Sequence, residues 1–497
     1  MNYNILREND VRGEYPNEIN SDAVRIIGKA FAYYLNEKGI DTCIIGHDNR
    51  LSGEELHESL VNSLLSSGIN VKDIGLVTTA MFNYASMMFK IPFGIMITAS
   101  HNKSADNGLK IFGDNYLHLR QDELQYLYSL VKQEKEIFGS GTLEHLEIKE
   151  KYIDMLIQKF GKINKKVVVD CGNGTASIAV KEIFSKIFLD VNFINCESDG
   201  SFPIHNPDPN VDENLKWLKG MVKLKNADLG IAVDGDCDRV GIVDEEGNTI
   251  TTDYLIAIFA KYIIPFNNNK NVILDIKCSS VMPSEIKKVG GNPIMVKNGS
   301  AYIETVCYDT PALIGGEYSG HLFFKDDYYG FDDGFYAGLR FAQILDNENV
   351  LASSFCKNMK VLPSTPEIRL QVDDNIKFDL VDYVKKYAKE KNYTCNFADG
   401  VRVDYDEGFS LVRASNTGAY ITLRFEAPNE ELLKERQNEF MTIIDLYLNS
   451  HIKNWGLVLE EELFNGSFFS GVLIVFFSSF SSFIKLNTLL IFWNKGL

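Results

Sequence analysis

The chain has 497 residues, of which 45% are hydrophobic and 24% charged. That is the composition of a folded globular protein. It excludes a collagen-like chain, a wholly disordered one and a small disulfide-stapled scaffold, and at about 150 residues per domain it leaves room for about three domains. Fifty Lys and Arg against 68 Asp and Glu give a net charge of −18. So acidic a chain is a poor candidate for nonspecific binding to nucleic acid or an anionic membrane, although basic side chains gathered in one cleft can still hold a phosphate. The eight cysteines form no CxxC pair, which points to reduced thiols and a cytoplasmic setting. The opening MNYNILREND carries charges and no apolar stretch, unlike a signal peptide.

In chain order the first pattern is a repeat. Three apolar runs end in an Asp-bearing turn: Cys43-Ile-Ile-Gly-His-Asp48, Val167-Val-Val-Asp170 and Val272-Ile-Leu-Asp275. After each comes a helix-like stretch and a second apolar run ending in a polar loop: Gly94-Ile-Met-Ile-Thr-Ala-Ser100, Leu229-Gly-Ile-Ala-Val-Asp234 and Ala312-Leu-Ile-Gly-Gly-Glu317. Short apolar strands alternating with helices predict parallel sheets, and ligands bind beyond the carboxyl ends of such strands. The reading is therefore three similar mixed α/β domains, each presenting one functional loop.

Val361-Leu-Pro-Ser-Thr-Pro366 reads as a linker. Beyond it the pattern predicts a strand at Glu367 to Val372, a helix at Phe378 to Lys391, two or three strands from Val401 to Phe425, and a helix from Asn429 to Leu448 with Leu433, Phe440, Ile444 and Tyr447 on one side. That is a C-terminal α+β domain. The domain divisions are 1–150, 151–253, 254–362 and 363–450, around a central cleft. The remainder, 451–497, is anomalous: Asn465 to Ile484 is without a charge and crowded with Phe and Ser. Three readings stand for this apolar tail: a shifted or read-through frame, a membrane anchor, and a docked apolar helix.

Four loops carry chemistry. Thr98-Ala-Ser-His-Asn102 offers Ser100 as a nucleophile or phosphoryl carrier, and Lys110 in the following Asn107-Gly-Leu-Lys-Ile-Phe112 could return to the same cleft as general acid or base, a role favoured where desolvation lowers a lysine pKa. Asp234, Asp236 and Asp238 alternate after a strand, which puts three carboxylates on one side. An all-oxygen set of this kind suits Mg²⁺, and Arg239 beside it can clamp a phosphate oxygen. Gly315-Gly-Glu-Tyr-Ser-Gly-His321 could hold sugar hydroxyls through Glu317. Arg413-Ala-Ser-Asn-Thr-Gly-Ala419 reads as a phosphate cradle without a metal. Two phosphate sites facing one cleft suit a reaction that moves a phosphate between the ends of a sugar.

These motifs, with Asp10-Val-Arg-Gly13 and Gly46-His-Asp-Asn-Arg50, closely resemble those of the α-D-phosphohexomutases, in the bacterial phosphomannomutase/phosphoglucomutase branch, from about Leu6 to about Leu448. The resemblance implies an isomerase that interconverts hexose 1-phosphate and hexose 6-phosphate of mannose or glucose. It implies a phosphoserine at Ser100, a hexose 1,6-bisphosphate intermediate, and Mg²⁺ held by Asp234, Asp236, Asp238 and the Ser100 phosphate. It implies charge stabilisation by Arg12 and Arg239, acid–base work by Lys110, and help from His321 on the sugar side. The binding residues it implies are His101, Lys277, Glu317, Ser319, Arg413, Ser415, Asn416 and Thr417. Its partners would be small sugar phosphates in the cytoplasm, without nucleic acid, and without a membrane unless the tail is native. Cys237 stands where the family usually has Gly, Asn9 where it often has Tyr, and Lys297-Asn-Gly-Ser300 replaces a loop that often ends in His or Asn. A phosphoglucosamine mutase and a noncatalytic sugar-phosphate sensor are the alternative readings.

Overall fold

The repeat is realised as three copies of one strand arrangement. The structure is a computed structural model that describes residues 1–415 and 418–464, with side chains as far as Ser450. In the first sheet the central strand Thr42–His47 lies parallel to Asn70–Leu76 on one side and Gly94–Ile97 on the other, and Asp106–Phe112 follows antiparallel. In the second sheet Ile163–Asp170 lies between Phe188–Ile194 and Leu229–Val233, followed by antiparallel Val240–Asp244. In the third, Asn271–Asp275 lies between Asn292–Val296 and Ile314–Gly316, followed by antiparallel Leu322–Phe324. The paired apolar runs seen in the sequence are thus neighbouring parallel strands in each copy. The first sheet adds Val11–Glu14 and Leu143–His145 at its edges, and the second adds Thr249–Ile250.

Packing explains why these runs are so apolar. Val167, Val168, Val169, Leu229, Ile231, Val272, Ile273 and Leu274 are fully buried, because crossover helices cover both faces of a parallel sheet. Local signals set the helix ends. The Asn20, Thr78 and Asp333 side chains accept from the backbone N–H three residues on, at the starts of Ser21–Glu37, Thr79–Phe89 and Gly334–Glu348, satisfying amides that have no intrahelical partner.

The fourth sheet is antiparallel throughout, in the order Ile368–Gln371, Tyr420–Glu426, Phe409–Ala414, Val401–Asp404, Cys395–Asn396. Helix Lys377–Glu390 packs on it. Arg402 ties this sheet to the third, donating from Nη1 to the carbonyls of Ile276 and Cys278 at 2.6 and 2.7 Å. The last helix begins at Glu430 but runs to Phe464, past its expected end at Leu448. No proline or turn cluster stands between 448 and 464 to stop it. Among the described residues no helix is long and apolar enough to cross a membrane. The charge-free stretch that raised the anchor reading, 465–484, lies outside the described residues.

Candidate active site

The loop carrying Ser100 links the parallel strand Gly94–Ile97 to its antiparallel neighbour, and the loop 234–239 makes the same connection in the second sheet. Equivalent topology therefore brings the two loops out at equivalent strand ends. They meet closely. A Cβ on Gly235 would lie 2.5 Å from the Ser100 carbonyl oxygen, so only glycine fits there. Ser100 itself has φ +49° and Cys237 φ +64°, left-handed conformations that cost a non-glycine residue about 1 kcal/mol.

Ser100 Oγ donates to Asp234 Oδ2 at 2.7 Å, and its backbone N–H donates to Thr98 Oγ1 at 2.8 Å. Carboxylate oxygens of Asp234, Asp236 and Asp238 all lie within 4.8 Å of one another. All three residues are buried, and Oδ1 of Asp236 and of Asp238 have no hydrogen-bond partner. Burial and the charges of Asp238 and Asp236 push Asp234 well above the usual carboxylate range. Burial would raise Asp236 as well, but the Lys110 ammonium, 2.7 Å away, holds it low.

Lys110 also pairs with Asp238. Desolvation alone would lower the lysine pKa, the direction expected from the sequence. Asp236, Asp238 and Asp332 outweigh it, and the pKa is raised instead. Lys110 is thus held as an ammonium. His101 is the opposite case: burial, with Arg239 and Arg12 nearby, drives it well below the ordinary histidine value, so the ring is neutral.

Arg12 and Arg239 line the cleft together with Ser100. Arg12 donates to the Ala99 carbonyl and pairs with Asp10. Arg239 Nε donates to His321 Nε2 at 2.9 Å. Further along, Lys277 Nζ lies 3.3 Å from Glu367 and 3.5 Å from Glu317, and Ser319 Oγ donates to Glu317 at 2.7 Å. Burial would raise Glu317 and Glu367, but Lys277 pulls each down to about 2. Arg413 Nε pairs with Asp399 at 2.8 Å, and Ser415 stands beside it.

All of these reach one cleft of about 480 Å³, lined by Arg12, Ser100, His101, Lys110, Arg239, Lys277, Glu317, Ser319, His321, Arg413 and Ser415. The Asp trio lies buried beneath it. Asn416 and Thr417 lie outside the described residues. Sequence reasoning missed Arg369 and Glu367, which line the cleft just past the linker, and Asp332, whose Oδ2 is 2.6 Å from His321 Nδ1. It also gave no role to Asp48 and Arg50, although their motif was visible.

Four family models, described as phosphoglucomutase/phosphomannomutase alpha/beta/alpha domains I, II and III and C-terminal domain, match residues 4–138, 150–247, 251–361 and 367–443. The chain belongs to the phosphoglucomutase/phosphomannomutase family. It is 37% identical over 444 residues to the phosphomannomutase/phosphoglucomutase of Pseudomonas aeruginosa, covering 88% of this chain and 94% of that one. It is 35% identical over 451 residues to the phosphoglucomutase of Neisseria gonorrhoeae, covering 89% and 96%. A family member of known crystal structure from Burkholderia thailandensis superposes with a TM-score of 0.81 at 32% identity, over 89% of this chain and 97% of that one. The family's four-domain order is the order of the four sheets described above.

Proposed function

We propose that this chain interconverts the 1-phosphates and 6-phosphates of mannose and glucose, carrying a phosphoryl group on Ser100. The observation behind this reading is one cleft whose lining gathers a nucleophilic serine, an acidic floor and two sets of basic side chains. Ser100, Arg239 and Lys110 contact the Asp trio, with Arg12 on the same lining, while Lys277, Arg413 and Ser415 line the cleft without contacting it. The names of the relatives favour glucose and mannose phosphates over glucosamine phosphate, and a noncatalytic sensor would have no use for the serine and its acidic floor.

The donor set fits a hard divalent cation. It is all oxygen, it is buried, and two of its oxygens lack partners. Asp234, Asp236 and Asp238, with an oxygen on Ser100, would hold Mg²⁺, which when bound neutralises charge on the phosphoryl oxygens. The side chains do the rest. Arg413, Ser415 and Lys277 seat the phosphate that does not react. Glu317 and Ser319 orient the sugar hydroxyls. The free hydroxyl oxygen of the substrate forms a new bond to phosphorus as the bond to Ser100 Oγ breaks. Lys110, already an ammonium, returns a proton to Ser100 Oγ, and His321 Nε2 takes the proton of the attacking hydroxyl as the Arg239 N–H that occupies it turns to the transferring phosphoryl group. Arg12 and Arg239 meet the charge on the transferring group. The hexose 1,6-bisphosphate then turns over in the cleft, and its other phosphate returns to Ser100.

The test is isomerisation of mannose 1-phosphate and of glucose 1-phosphate with Mg²⁺ and trace hexose 1,6-bisphosphate. Turnover by the parent chain and its loss in Ser100→Ala support the reading. Release of free phosphate without isomerisation would make the chain a hydrolase instead.

A further inference from the structure

We propose that Asp332 is a positioning residue of the reaction: it fixes the His321 proton on Nδ1 and so keeps a lone pair at Nε2, where Arg239 is held against the reacting end of the cleft. The kinetic arm of this inference rests on the mutase reading above; the tautomer does not.

Hydrogen-bond bookkeeping decides the matter. A guanidinium has donors and no acceptor. Arg239 Nε lies 2.9 Å from His321 Nε2, so that ring nitrogen must accept. An imidazole that accepts at Nε2 carries its proton at Nδ1. Nδ1 is 2.6 Å from Asp332 Oδ2, and its N–H donates there whatever the charge on Asp332. The other carboxylate near Nδ1, Asp238 Oδ1, is 3.6 Å away, beyond hydrogen-bond reach. Asp332 is buried and stands off the cleft lining, behind the ring.

Among the described residues no carboxylate holds the Arg239 guanidinium as closely. Its carboxylate neighbours, Asp234 and Asp208, stand at 3.8 and 4.0 Å. Without an acceptor at position 332 the ring can take its proton at Nε2. Two N–H groups would then face each other, and the Arg239 anchor would be lost. The adjacent Asp333 cannot replace Asp332. It caps the helix Gly334–Glu348 and accepts from the hydroxyls of Tyr152 and Tyr328.

The experiment uses the full chain with Asp332→Ala and Asp332→Asn. Histidine ¹⁵N resonances report the tautomer, with His321 identified by the signal missing in His321→Gln. The parent should show the Nδ1–H form, and Asp332→Ala should shift to Nε2–H or to a mixture. In hexose 1-phosphate turnover Asp332→Ala should lose about 10- to 100-fold in kcat with KM within about threefold. Asp332→Asn, whose amide oxygen can still accept, should fall between it and the parent, and it serves if the alanine variant does not fold. A parent ring protonated at Nε2, or an alanine variant that keeps both the Nδ1–H signal and the parent kcat, overturns the proposal. If the parent turns over no hexose phosphate, the mutase reading fails and the tautomer measurement alone decides for or against Asp332.

Discussion

Arg50 holds the Ser100 loop shut: its Nη2 donates at 2.8 Å to the carbonyl of Ser100 and at 2.8 Å to that of Asn102. Nη1 donates to the carbonyls of Lys103 and Asp106 at 2.6 and 2.9 Å, and Nε pairs with Asp48 at 3.2 Å. One buried guanidinium thus gathers four carbonyls of the loop, one of which, that of Lys103, also accepts the Asp106 N–H at 3.1 Å. Arg50→Ala should cost about 3 kcal/mol or more, because it strands a buried carboxylate and those carbonyls. Arg50→Lys keeps the charge but not the fork. It should melt lower than the parent and lose about 100-fold in kcat as Ser100 loses its fixed left-handed turn. Thermal melts and hexose 1-phosphate turnover check both. A lysine variant with the parent's kcat would show that the fork is not what positions Ser100.

The motif around Arg50 was legible in the sequence and its task was not, because the four acceptors lie about fifty residues further on and only the sheet order brings them near. The three α/β repeats were legible because buried parallel strands leave long apolar runs at a regular interval. Lys110 shows the limit of local reading. Its burial argued for a lowered pKa, but the carboxylates that raise it come from the second and third domains. Asp332 left no signal at all, since a lone Asp in a loop matches any turn, and only the 2.6 Å contact with His321 gives it a task. The last helix runs past Leu448 for a simpler reason: Asn449, Ser450, Asn454 and Gly456 are weak stop signals without a proline beside them.

Cys237 should be chemically quiet. Its left-handed φ explains why glycine suits the position, and its side chain is fully buried in a core that spans the first three sheets. Burial pushes the thiol well above its ordinary value, so little thiolate forms. Six of the eight cysteines are buried, and only Cys356 and Cys395 are partly exposed. A thiol-specific disulfide reagent should therefore titrate at most two cysteines in the native chain and all eight after denaturation. Rapid native labelling of Cys237, located by peptide mapping, would contradict this placement.

His118 and Glu304 join the first and third domains with a pH-dependent contact. His118 Nδ1 lies 2.8 Å from Glu304 Oε2, which also accepts the His118 backbone N–H at 3.0 Å. Burial alone would lower the His118 pKa, but the Glu304 charge and hydrogen bond raise it above 6.5. A folded-state value above the unfolded one means stability fully present below the unfolded value and lost as pH rises through the folded one. The melting-point gap between the parent and Glu304→Gln should therefore be wider at about pH 5.5 than at about pH 9. Equal gaps at both pH values would show that the pair does not titrate as a unit.

Lys110 and a divalent cation are rivals for the same carboxylates. The ammonium pairs with both Asp236 and Asp238, so cation binding at the trio must work against a fixed positive charge. Lys110→Met removes that charge and leaves three buried carboxylates with Arg239 beside Asp234 and Arg50 near Asp236. Two effects should then separate. Turnover should fall by about 100-fold or more with the loss of the proton donor. Mg²⁺ should bind more tightly, seen as a larger rise in melting temperature per increment of Mg²⁺ and a lower calorimetric Kd. Lys110→Arg should keep the weaker Mg²⁺ binding while still losing turnover, since a guanidinium stays charged and gives up no proton. If Lys110→Met binds Mg²⁺ no better than the parent, the ammonium is not competing for those oxygens, and its place between Asp236 and Asp238 serves proton transfer alone.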